Sequence, residues 1–293
     1  MELRELRYFL AVAQEENISK AAEYLYIAQP SLSKQMQNLE KEIGRPLFIR
    51  GNRKITLTDA GKLLRKRAEE LIELYEKTEA EMLAPSEDVS GDIYIGGGES
   101  YAVGLIARTA KELQTEYPQI KFHFFSGDTI EVTERLDKGL IDFGMLVEPA
   151  DLSRYDYLRL PLTDTWGVLM RKDSPLAAKE YIVPADLRGL PLIRSKHTMC
   201  RNVVSDWIGE SGAKPRVVAT YNLIYNASLM VSEGMGYAIT LDRLINTTGD
   251  SDLCFRPFRP ALETHFDIAW KKYQVFSKAA DLFLRRLKEN LNG

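Results

Sequence analysis

Residues 18–39, ISKAAEYLYIAQPSLSKQMQNL, decide how the rest of the chain is read. Ala21, Ala22 and Leu25 offer the small apolar face of a short helix, with Ser19 placed to cap its start. The pattern then breaks. Tyr26, Ile27 and Ala28 fill a turn of about three residues, and Pro30 falls where the first turn of a new helix tolerates proline. That second helix is expected from Ser31 to Ile43, with Leu32, Met36, Leu39 and Ile43 at helical spacing as a buried stripe. Its opposite face carries Gln29, Ser31, Ser33, Lys34 and Gln37, side chains able to hydrogen-bond base edges or phosphates. Two helices joined by a tight turn, the second donor-rich in front and apolar behind, are the layout of a DNA-binding helix-turn-helix. An ordinary helix pair with a solvated face has the same pattern, so the flanks must decide.

Upstream, Leu3, Leu6, Phe9, Leu10 and Ala13 form a supporting amphipathic helix. Downstream, Gly44 and Arg45-Pro46 stop the second helix, and residues 47–57, LFIRGNRKITL, alternate like a hairpin around Gly51-Asn52. Arg50, Arg53 and Lys54 cluster at its tip, suited to phosphates or a minor groove, or else to plain solubility. Over its whole length the run LRYFLAVAQEENISKAAEYLYIAQPSLSKQMQNLEKEIGRPLFIR closely resembles the N-terminal winged-helix domain of the LysR-type transcriptional regulators. The candidate DNA contacts are the polar face and the hairpin tip: Gln29, Pro30, Ser31, Ser33, Lys34, Gln37, Arg50 and Arg53.

Composition agrees. The 293 residues imply two or three domains, and 45% hydrophobic with 28% charged residues is globular composition. No membrane-length apolar run and no signal-peptide core at MELRELRYF lead to the expectation of a cytoplasmic protein. Cys200 and Cys254 stand apart from each other and from clustered histidines, which argues against a disulfide framework or a metal site. The net charge of −3 hides a basic head: residues 1–66 hold 12 Lys/Arg against 8 Asp/Glu, the remainder 27 against 34.

Thr58 is placed to cap a long helix reaching Leu83 before Pro85. Leu57, Gly61, Leu64, Ala68, Leu71, Tyr75, Thr78 and Met82 recur at coiled-coil spacing, a seam expected to run unbroken and to pair two copies. After the turn-rich 84–92, strands and helices alternate: strands at 92–96, 120–125, 143–147, 165–171, 190–194, 216–220, 237–241 and 266–271, and helices at 103–117, 129–138, 199–210 and 224–233. An amphipathic helix follows the last strand. The fold class expected is therefore α/β, with an N-terminal winged helix-turn-helix (1–58), a dimerising linker helix and hinge (59–91), and a bilobed effector domain (92–293). Lobe one is expected at 92–160 and 266–293, lobe two at 161–265, resembling the periplasmic-binding-protein fold that the LysR-type regulators use for effectors. Residues 234–244, GMGYAITLDRL, resemble the family's glycine-rich turn and strand, except that Asp242 stands where proline is common.

A ligand belongs in the cleft between lobes, at strand ends and helix N-termini. Gly96-Gly97-Gly98 precede a helix but match no nucleotide-binding spacing, and a tight turn explains them. Ser100, Tyr101, Thr129, Glu148, His197 and Thr198 are the candidate effector contacts; the hydroxyls of Ser100, Thr129 and Thr198 come first by family resemblance, and simple N-capping is the alternative for each. A carboxylate is one candidate effector. No cofactor, metal or catalytic residue is implied: His123, His197 and His265 lie far apart and no nucleophile motif occurs, against an enzyme. A transporter's solute-binding protein is opposed by the winged head. The function expected is a transcription regulator binding promoter DNA as a dimer, with tetramerisation implied by the family and RNA polymerase as a further partner of an activator.

Overall fold

The computed structural model describes residues 1–51, 54–83, 89–196, 198–209 and 216–292, with 198–203 and 292 described by backbone alone. It divides into two compact units, Met1–Ala84 and Pro85–Gly293.

The first unit opens with α1 (Leu3–Glu15), α2 (Ile18–Tyr24) and α3 (Gln29–Ile43). Their apolar stripes meet in one core where Phe9, Val12, Leu32, Met36 and Leu39 are fully buried, each contributing about 1.5–3 kcal/mol relative to exposure. Ser19 does not cap α2. Asn17 does, its Oδ1 accepting the Lys20 N–H at 3.1 Å from an extended backbone that aims it at the free amides. α3 starts earlier than expected, at Gln29, because Pro30 sits in its first turn, where no backbone donor is needed. Between them Tyr26 takes the left-handed conformation, φ 55°, with its side chain 95% exposed.

β1 (Phe48–Arg50) and β2 (Ile55–Leu57) pair antiparallel, Phe48 opposite Leu57. The Gly51 N–H donates to the Lys54 carbonyl at 3.0 Å, so Gly51 is a bonded flank of the hairpin and not a turn residue. Asn52 and Arg53 lie outside the described residues. α4 (Asp59–Leu83) is capped by Thr58, whose Oγ1 accepts the Gly61 N–H at 3.0 Å. The expected seam is broken in two. Gly61 and Ala68 are buried, with Leu57 and Leu64 half-buried against the unit's own core, whereas Leu71, Tyr75, Thr78 and Met82 are exposed. Heptad spacing puts residues on one side of a helix without saying what covers them.

In the second unit the order is β3 (Gly91–Gly97), α5 (Val103–Glu116), β4 (Ile120–Ser126), α6 (Thr129–Asp137), β5 (Phe143–Val147), β6 (Tyr155–Arg171), β7 (Pro191–Ser195), α7 (Thr198–Gly209), β8 (Arg216–Tyr221), α8 (Ile224–Ser232), β9 (Tyr237–Leu241), β10 (Leu253–Pro257), β11 (Glu263–Lys271) and α9 (Lys278–Asn292). The strands join in the order β4-β3-β5-β11-β6-β9-β7-β8, with β10 on β6. β3 is parallel to β4 and β5, and β7 to β8 and β9. β6 ties the halves together: up to Thr165 it pairs with β11, and from Trp166 with β9. The expected lobe limit at residue 160 thus falls within a strand.

Two pieces of this sheet were absent from the sequence reading, the first half of β6 and all of β10. Pro161 interrupts the period-two pattern of β6, and it is accommodated where the ladder with β11 shifts register between His265 and Asp267. Gly96 lies within β3 and not in a turn, with Ile141 Cδ1 packed 2.7 Å from where a Cβ would stand. α9 buries Ala280, Phe283 and Leu287, and Phe283 packs on Phe143 with ring centroids 5.2 Å apart.

The start of α4 is docked so tightly that a Cβ on Gly61 would lie 2.2 Å from the Leu47 carbonyl oxygen. Gly61→Ala is expected to destabilise the first unit by about 1–3 kcal/mol, as overpacking does. All three tryptophans lie at or beyond Trp166. The helix signal followed by circular dichroism should therefore melt earlier while the tryptophan fluorescence transition stays in place; coincident shifts in both would refute this local assignment.

Candidate nucleic-acid interface and ligand cleft

On α3, burial of Leu32, Met36 and Leu39 turns the other side of the helix outward. Gln29, Pro30, Ser31, Lys34 and Gln37 are exposed and Ser33 is half-buried, so the sequence-predicted contacts share one face. The hairpin is anchored to this helix by Glu40, whose Oε1 accepts the N–H groups of Leu47 and Phe48 at 2.8 and 3.1 Å. Its other oxygen meets Arg50 at 3.8 Å, and Lys54 pairs with Glu16 at 2.9 Å. Such exposed pairs contribute only about 0.2–1 kcal/mol, so phosphates can compete for both cations. Arg53 lies outside the described residues.

In the second unit a cavity of about 770 Å³, including its mouth, opens between the two halves of the sheet. From the β3 side it is lined by Gly98, Glu99, Asp128, Thr129 and Met145; from the β9 side by Trp166, Ser195, Tyr221, Asn222, Ile224 and Leu241. Of the predicted contacts Thr129 is on this wall. Ser100 and Tyr101 are not. They line a separate groove with Arg108, Pro161 and Arg243. The Ser100 hydroxyl, 7% exposed, donates to Asp164 at 2.7 Å and accepts the Ala102 N–H at 2.9 Å, while Tyr101 lies beneath the Arg243 guanidinium. Glu148 is paired with Arg159, which also holds the fully buried Asp267 at 2.7 Å. His197 and the Thr198 side chain lie outside the described residues.

Asp164 is the polar centre of the crossing. Its carboxylate, fully buried, accepts from Ser100 Oγ, from the Tyr101 N–H at 3.1 Å and from Arg243 at 3.0 Å. Burial pushes its carboxyl above the usual carboxylate range, against the pull of the bonds from Ser100 and Tyr101. Asp242, the departure noted in the sequence, orders the next turn by accepting the Thr165 N–H at 2.9 Å. Sequence reasoning missed Glu99, whose Oε2 accepts the Ile224 N–H at 2.7 Å from 125 residues away. An acid directly after a strand-ending glycine run was the available signal; its partner was not.

Residues 3–62 match the family described as "Bacterial regulatory helix-turn-helix protein, lysR family", and residues 86–292 match "LysR substrate binding domain". The Hca operon transcriptional activator HcaR of Escherichia coli K12 is 30% identical over 299 residues, covering 99% of this chain and 98% of that protein. The HTH-type transcriptional regulator CysL of Bacillus subtilis 168 is 27% identical over 292 residues, covering 97% and 96%. In fold the chain is similar to the crystal structure of CbnR, a LysR family transcriptional regulator, with TM-score 0.79, 20% identity and 99% of each chain covered. CbnR in complex with its target DNA gives TM-score 0.78 at 21% identity, again over 99% of each chain.

Asp164→Ala removes the acceptor of the buried Ser100 hydroxyl and of the Tyr101 N–H, while Arg243 keeps Thr163 O and Asp242, and is expected to cost about 1–3 kcal/mol. Asp164→Asn should cost less, because one oxygen remains for Ser100 and Tyr101. Urea unfolding followed by tryptophan fluorescence measures both; equal stability of Asp164→Ala and the parent chain would exclude the central role of this carboxylate.

Proposed function

The chain belongs to the LysR family of transcriptional regulators, and from that premise we propose how its parts divide the work. It is a DNA-binding transcription regulator whose C-terminal domain binds a small-molecule effector. The domains we propose are 1–58 for DNA, 59–91 as linker and hinge, and 92–293 for the effector. α3 enters the major groove, with Gln29, Pro30, Ser31, Ser33, Lys34 and Gln37 toward the DNA and Arg50 and Arg53 on phosphates beside it. The observation that carries this reading is the exposed donor face of α3 backed by its buried stripe.

Two copies pair through the exposed apolar residues of α4, Leu71, Leu74, Tyr75 and Met82. Pairing presents two recognition helices to half-sites about 34–36 Å apart, or a multiple of that. Dimers associate into tetramers, the protein works in the cytoplasm, and an activator of this kind also touches RNA polymerase. Among the described residues no helix is long and apolar enough to cross a membrane, which fits that location. In the cleft Thr129, rather than Ser100, Tyr101 or Glu148, is the retained contact, since the other three are engaged elsewhere. An effector acts by favouring one arrangement of the two lobes over another.

Gln29→Ala is expected to lower affinity for its promoter site about 10–100-fold while leaving nonspecific binding intact. Lys34→Ala should weaken all DNA binding and reduce the salt slope by about 1. Footprinting and salt titration on the chain's own upstream region measure both. Unchanged footprints in the two variants would remove α3 from the interface.

A further inference from the structure

The effector reading above says that the cleft takes a small molecule, and the cleft's own charges carry that reading further. Two helices begin on the cavity wall, α6 at Thr129 and α8 at Ile224. A helix N-terminus attracts anions through its free N–H groups and its dipole, so these are the places where a carboxylate ligand would be held. Each already has an acidic side chain on one of its first-turn amides. Asp128 Oδ1 accepts the Glu131 N–H at 2.9 Å, and Glu131 returns a bond to the Asp128 N–H at 3.0 Å. Glu99 reaches across from the loop after β3 and places Oε2 2.7 Å from the Ile224 N–H. Just ahead of α5, the Tyr101 N–H likewise donates to an acid, Asp164. No Lys, Arg or His is among the described residues lining the cavity, whose remaining wall includes Trp166, Met145 and Leu241.

We propose that Glu99 stands in for the carboxylate of an anionic effector, so that this cavity selects an organic cation, an ammonium-bearing molecule with an apolar body. The ammonium sits beside Glu99 and the body lies against Trp166 and Leu241. A carboxylate has about four acceptor sites, so Glu99 keeps its bond to Ile224 while taking a ligand N–H. An aromatic wall suits the same charge, because the ring face is electron-rich. A ligand carboxylate meets the opposite situation: Asp128 and Glu99 already stand at the two helix starts, and Glu99 repels it. The Glu99 to Ile224 bond joins the β3 side of the cleft to α8, so a cation that draws on Glu99 changes the closure of the lobes, which is how it would reach the regulator's output.

The test uses the full chain and three probes of one shape, 2-phenylethylamine, 2-phenylethanol and phenylacetate, titrated by calorimetry into the parent chain and Glu99→Gln. Glutamine keeps an acceptor for the Ile224 N–H and removes only the charge. The parent chain should bind the amine at least about 10-fold more tightly than phenylacetate, and Glu99→Gln should narrow that gap to less than about threefold. Tighter binding of phenylacetate by the parent chain, a gap unchanged by Glu99→Gln, or no binding of the amine up to about 10 mM would each overturn the assignment. Promoter binding by the same two proteins is read separately. If it is lost in the parent chain the regulator reading fails; if it is intact while phenylacetate is preferred, only the charge assignment fails.

Discussion

A carboxylate without water has to be surrounded by donors, and Asp164 imposes that constraint on the second unit. It lies on β6, the strand that belongs to both halves of the sheet, and it is fully buried. Its donors come from the loop after β3 and from the turn after β9. One charge therefore fixes three segments at the point where the lobes meet, and Asp242 reinforces it from the adjoining turn. Apolar packing alone would hold each lobe together, but it is non-directional and would not register one lobe on the other. A buried charge with directed bonds does.

The same loop after β3 carries both a structural and a ligand-facing group in consecutive positions. Ser100 turns inward to Asp164, and Glu99 turns into the cavity and across to α8. This division arises where the backbone bends at Glu99 after leaving β3 and the two side chains diverge. It also explains why a hydroxyl chosen for ligand contact is consumed as a cap, while the adjacent acid faces the space where a ligand fits.

In the first unit the dominant constraint is area. Three short helices and a small hairpin bury little surface, and the first turns of α4 complete their core. α4 is thereby committed at Gly61, Leu64 and Ala68, while its later turns present Leu71, Leu74, Tyr75 and Met82 outward. One helix thus serves the interior at its start and carries exposed leucine, tyrosine and methionine further along.

Much of this was legible without coordinates. The spacing of Leu32, Met36 and Leu39, the proline after the turn, the Gly44 terminator and the Asp128/Glu131 capping box all depend on residues within a turn or two of each other. Local geometry therefore determined the helix-turn-helix, its polar face and the α/β order of the second unit. Two strand segments escaped because Pro161 broke the period in β6 and because β10 is specified by its partner β6 more than by its own pattern. Only the tertiary structure decided that half the α4 seam is interior, that Ser100 belongs to Asp164, and that Glu99 reaches Ile224. Those three are contacts between segments far apart in the chain, and the free energy that selects them is that of desolvated groups finding partners, which no stretch of sequence contains by itself.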